Sequence, residues 1–166
     1  MKMTKEDYLS RHIQHRLRLL TIFKNNFENE TDESIDEKKL SDFYVCSKDI
    51  SIQMTRTLLF ELGIKLQQKK QVKDIEKITN LKDYGNDKEI LERIQTFNIT
   101  KIEPNKIPPN IEDKLIVILK IANRAISHIV DEEVDHVLLR HSDTLEYLIP
   151  VINYVEKKVK SNILQS

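Results

Sequence analysis

Glycine is nearly missing from this chain: 166 residues hold two, Gly63 and Gly85. A loop that cradles phosphates needs several glycines close together, so P-loop and dinucleotide-binding functions are excluded. Tryptophan is absent and aromatic residues make up 6%. With so few glycines, this argues against a β-rich fold, which needs a turn at every strand end. The single cysteine, Cys46, excludes an internal disulfide and fits a reducing compartment. Nothing beside it in sequence favours its thiolate, so it reads as a small buried residue. Charge of one sign is also lacking. Lys and Arg total 27, Asp and Glu total 27, and the net charge is zero. No global field draws the protein to nucleic acid, so any such contact must come from local patches. No apolar run approaches the roughly 20 residues that span a bilayer. Met1–Asp7 lacks the apolar core of a secretion signal. The expectation is a cytoplasmic protein that does not enter a membrane.

What is present points to helices. Charged residues make up 33% and apolar ones 39%, which suits a globular chain with a core of its own. The length fits one domain over 1–166, and no repeat of 20–50 residues is visible. Residues 4–28 predict a first helix, opened by Thr4 with Glu6 and Asp7 in its first turn. Leu9, Ile13, Leu17, Leu20, Phe23 and Phe27 form its stripe. An acidic connection, about 28–41, follows. A second helix is expected over 41–66, with Ile50, Met54, Leu58 and Leu62 on one face and Ile52, Leu59 and Phe60 widening it. Residues 67–103 give a thin pattern, with a shorter helix over roughly 87–98. Pro104, Pro108 and Pro109 mark an extended linker, about 102–110. Asn110 is expected to cap the next helix. The last helix opens at Ser142 and carries Leu145, Leu148, Ile152, Val155 and Val159, with Pro150 inside the pattern as a kink or a fresh start. The fold class is all-α: a bundle of four main helices plus one or two short ones.

The most apolar stretch runs from Leu115 to Ile129. Leu115, Leu119, Ala122, Ile126 and Ile129 recur at helical spacing, so this helix belongs in the middle of the bundle. Asn123, Arg124 and His128 interrupt it. Arg124 and His128 are four apart and share a side, at the edge of the apolar stripe. A neighbouring guanidinium favours a neutral imidazole. Such a pair suits RNA cleavage: the imidazole takes the 2′-hydroxyl proton, and the guanidinium grips the phosphate through two parallel hydrogen bonds. A structural role competes, with His128 bonded to Asp131 or Glu132 and Arg124 paired to an acid elsewhere.

Two other clusters carry chemistry. Arg11, His15, Arg16 and Arg18, with His12, crowd the polar side of the first helix. They read as a solvated face or as a local phosphate-binding patch. His12 and His15, one turn apart, are a partial metal pair. His128, Asp131, His136 and His141 lie within 14 residues, but their spacing matches no known ligand pattern, so no metal and no cofactor is assigned.

Asn123-Arg-Ala-Ile-Ser-His128, late in a small helical bundle and followed by one more amphipathic helix, resembles the signature of the HEPN family. There an arginine, commonly followed by a polar residue such as asparagine, precedes a histidine with four to six residues between them. The resemblance implies an all-helical homodimer that cleaves or binds RNA without metal, as in defence, prophage or toxin–antitoxin systems. By the resemblance His128 is the imidazole, Arg124 the guanidinium and Asn123 a polar partner. Here the order of arginine and asparagine is exchanged, and three residues separate Arg124 from His128. That implies a member that has drifted from catalysis toward binding. The alternatives are a module that docks another protein without chemistry, and a metal-binding bundle.

Overall fold

The computed structural model describes residues 3–28, 37–67, 76–127 and 141–165, and the side chains of 3–25, 45–67, 76–123 and 146–165. It is a helical bundle with one small hairpin. Helix α1 covers residues 5–28 as Lys5–Asp7, a wide π-helical turn Tyr8–Ile13 and Gln14–Glu28. Thr4 caps it, its hydroxyl accepting the Asp7 N–H at 3.1 Å. Tyr8 and Ile13 lie about 140° apart on an ordinary α-helix. The wide turn draws them together, and both are buried.

Helix α2 spans Glu37–Glu61, so it starts four residues before the expected Ser41 and ends five before Leu66. Residues 37–41 of the expected acidic connection are thus helical, and 29–36 lie outside the described residues. Its buried residues also differ from the expected face. Ile50, Met54 and Phe60 are only half-buried, while Ser47, Ser51 and Thr55 are buried with Ile52, Leu58, Leu59 and Leu62. The small polar residues recur every four positions. They let α1 approach closely, and Ser51 Oγ reaches the Leu19 carbonyl at 3.4 Å. Cys46 is exposed, not buried.

Gly63 ends α2 at φ 83°, where a side chain would be strained. The chain then enters strand β1 (Ile64–Gln67), paired antiparallel with β2 (Lys77–Asn80), Ile64 opposite Asn80 and Leu66 opposite Ile78. This hairpin replaces the helical end expected at 62–66. Alternating burial of Ile64 and Leu66 is a strand period that the longer helical rhythm of α2 masked. Helix α3 is Asn86–Thr96. Its Asp87 accepts the Lys82 N–H at 3.0 Å and pairs with Lys65, tying the helix start to the hairpin. Burial alone would raise the Asp87 pKa; the Lys65 and Lys82 contacts outweigh it and hold it low.

The proline linker is docked, not merely extended. Pro104–Lys106 forms a 3-10 turn, and Ile102 and Ile107 on either side are buried. Helix α4 is Pro109–Ser127. Asn110, expected as its cap, lies inside the first turn. Pro109 starts the helix, and the N–H groups of Ile111 and Glu112 both donate to the Pro108 carbonyl at 2.9 Å. Helix α5 is His141–Val159, unbroken through Pro150, and continues as a wide turn Lys160–Leu164.

One core joins these elements. Ile13, Leu20 and Phe23 of α1, Leu58 and Leu62 of α2, Leu115, Ile118, Leu119 and Ala122 of α4, and Leu148, Ile152, Val155 and Val159 of α5 are all sealed in it. The three-four stripes read from the sequence on α1, α4 and α5 lie in this core or pack against it wherever their side chains are described, whereas that of α2 does so only in part. No described helix is long and apolar enough to cross a membrane.

Candidate functional site

Two regions answer to the residues singled out by sequence. The first is the far end of α4. Ala122 is fully buried there, and its carbonyl accepts a hydrogen bond from Gln53 Nε2 of α2 at 3.3 Å. Asn123, the next residue, is half-buried. Arg124 follows in the last turn of the helix, its side chain outside the described residues. His128 lies outside them as well, as do Asp131, His136 and the His141 side chain. Among the described residues no group of three His, Cys, Asp or Glu side chains could hold a metal ion.

The second region is the polar side of α1. His15 and Arg18 are exposed. Arg11 is exposed and lies 3.5 Å from Asp7, one turn earlier. Arg16 behaves differently. Its Nη1 donates to Glu61 Oε1 at 2.8 Å, so the guanidinium turns inward.

Glu61 is the centre of a buried ionic cluster that sequence reading missed. Its side chain is 4% exposed. Oε2 accepts the Tyr8 hydroxyl at 2.5 Å and Arg93 Nε at 3.3 Å. Oε1 accepts Arg16 at 2.8 Å and Arg93 Nη2 at 3.1 Å. Three elements meet here, α1, α2 and α3. Tyr8 is sandwiched further: its ring stacks on Phe97 at 4.7 Å, and the Arg93 guanidinium sits 5.8 Å from its centroid. Burial pushes the Tyr8 phenol far above its usual range, and the Glu61 charge and hydrogen bond add to that. Tyr8 therefore remains a donor. Burial alone would lower the Arg93 pKa, but Glu61 more than offsets it. Two cations on one carboxylate leave the cluster with a single positive charge. The sequence does hold a signal: Glu61 is an acid among leucines, in Leu58-Leu59-Phe60-Glu61-Leu62. Its partners lie 53, 45 and 32 positions away, beyond any local pattern.

A shallow cleft of about 380 Å³ opens on α3 and the segment after it, with Leu91, Ile94 and Ile99 as its floor and Asp83, Glu92 and Lys101 at its rim. It shares no residue with either region. Comparison with family models, with curated proteins and with solved structures finds no match for this chain.

Proposed function

We propose that this chain is a HEPN-like helical protein that binds RNA, working as a homodimer in a defence, prophage or toxin–antitoxin setting. One observation carries the reading. Asn123 and Arg124 occupy the last turn of a core helix, at its far end, with His128 one residue past it and a further amphipathic helix to follow. A guanidinium there would hold a phosphate, and an imidazole four residues on would address the neighbouring ribose. His15 and Arg18, exposed on α1, supply additional phosphate contacts. Arg11 and Arg16 add to them only by releasing or sharing their carboxylate partners. The exchanged order of Asn123 and Arg124 favours binding over cleavage.

Gel retention of single-stranded RNA tests this. Wild type retains the RNA, while Arg124→Ala and His128→Ala release it with unchanged circular dichroism. Equal retention and equal RNA breakdown by all three proteins overturns the reading.

A second reading, a non-enzymatic module that docks another protein, is favoured by the Glu61 cluster. Its buried charges saturate one another and leave no group for proton transfer. On this reading wild type binds no RNA at all.

A further inference from the structure

Arg56 differs from the other half-buried arginines. Arg16 and Arg93 both have Glu61. Arg56 has no carboxylate among the described residues, and its Nε is buried with no hydrogen-bond partner there. Its guanidinium lies 5.2 Å from the centroid of the Phe60 ring, one turn further along α2. Burial lowers the Arg56 pKa, with no compensating charge among the described residues. A cation held partly out of water without a counter-ion is destabilising, and an anion from outside would relieve it. The aromatic ring lies within cation–π range of the fork.

Its position matters as well. Gln53 and Arg56 are three apart and share a face of α2. Gln53 touches the Ala122 carbonyl, beside Asn123. Arg56 is about 4.5 Å further along the helix axis, within a turn of that contact.

We propose that Arg56 is an anchor for a phosphate group, its guanidinium donating two parallel hydrogen bonds to two phosphate oxygens while the Phe60 ring stays within cation–π range. A planar fork matches phosphate and carboxylate alike. The choice of phosphate rests on the RNA reading above, and so does the expected source, a nucleotide adjoining the end of α4.

The test uses the full chain with Arg56→Gln and Arg56→Lys. Two probes are measured: a single-stranded RNA oligonucleotide in a salt titration, and inorganic phosphate against acetate in thermal unfolding. Arg56→Gln should weaken RNA binding about tenfold and reduce the salt slope by about one phosphate contact. Arg56→Lys should keep the slope and lose part of the affinity. Phosphate carries more negative charge than acetate, so it should raise the Tm of wild type more than acetate does, and more than it raises that of Arg56→Gln. Without phosphate the Tm of Arg56→Gln should stay close to that of wild type, because the substitution removes the Phe60 contact but no ion pair, and it relieves a half-buried charge.

If phosphate protects wild type more than Arg56→Gln while RNA binds neither protein, the Arg56 site stands with a free phosphate compound as ligand, and the RNA reading fails. If His128→Ala loses RNA but Arg56→Gln does not, and phosphate shifts both proteins equally or neither, the RNA reading stands and the Arg56 site is overturned. Acetate matching phosphate overturns it too.

Discussion

Lys114 Nζ lies 2.8 Å from the backbone oxygen of Glu146, the carbonyl four residues before Pro150. In an unbroken helix that oxygen would accept the N–H of residue 150, and proline has none. A lysine from α4 supplies the missing donor, which is how α5 tolerates proline in its interior. The same ammonium lies 4.9 Å from the Tyr147 ring centroid.

Lys114→Met should therefore lower stability by about 1 kcal/mol, the net worth of one such hydrogen bond. Pro150→Ala restores an N–H to the helix and makes the lysine redundant. In that background Lys114→Met should cost clearly less, a coupling of about 0.5 kcal/mol or more in a double-mutant cycle by urea unfolding. Additive losses would show that the lysine does not replace the helical donor.

Glu61 sets the largest expected loss. Glu61→Ala strands two half-buried guanidiniums and a buried phenol together. The cost should be about 3–5 kcal/mol, the range for breaking a buried ion pair from one side. Arg16→Ala should cost less, because Arg93 still neutralises the carboxylate through two hydrogen bonds. Chemical denaturation of both variants checks the order.

Tyr8 makes stability fall at high pH. Its phenol titrates above the ordinary 10.0 in the folded state, because burial and Glu61 oppose the phenolate. A raised value contributes stability that is fully present below pH 10 and is lost as pH rises beyond it. Above that point wild type should lose up to about 1.4 kcal/mol per pH unit more than Tyr8→Phe. Urea unfolding of both proteins at pH 8 and pH 11 measures the difference. Parallel curves would mean the phenol is not protected.

Helix periodicity made most of the bundle legible. The stripes at Ile13, Leu20 and Phe23, at Leu115 and Leu119, and at Leu148, Ile152 and Val155 are all core. Three features escaped for physical reasons. The hairpin strands are four residues each, too short for a period of two to stand out beside a long helix. Ser47, Ser51 and Thr55 are buried because close helix approach needs small side chains, and a hydropathy stripe cannot see that. The Glu61 cluster joins residues from three elements, so only folding assembles it. Of the candidate site, the sequence placed Asn123 and Arg124 correctly on a core helix. It did not foresee that Arg16 turns inward, nor that Arg56 stands without a counter-ion among the described residues.

Ultraviolet crosslinking of wild-type protein to a single-stranded RNA, followed by mass spectrometry of the crosslinked peptides, tests the functional proposal most directly. Crosslinks should concentrate on the peptide holding residues 121–128, with a second set on residues 11–18. Crosslinks confined to other surfaces, such as the cleft around Leu91 and Ile99, or none above a non-binding control protein, would contradict it.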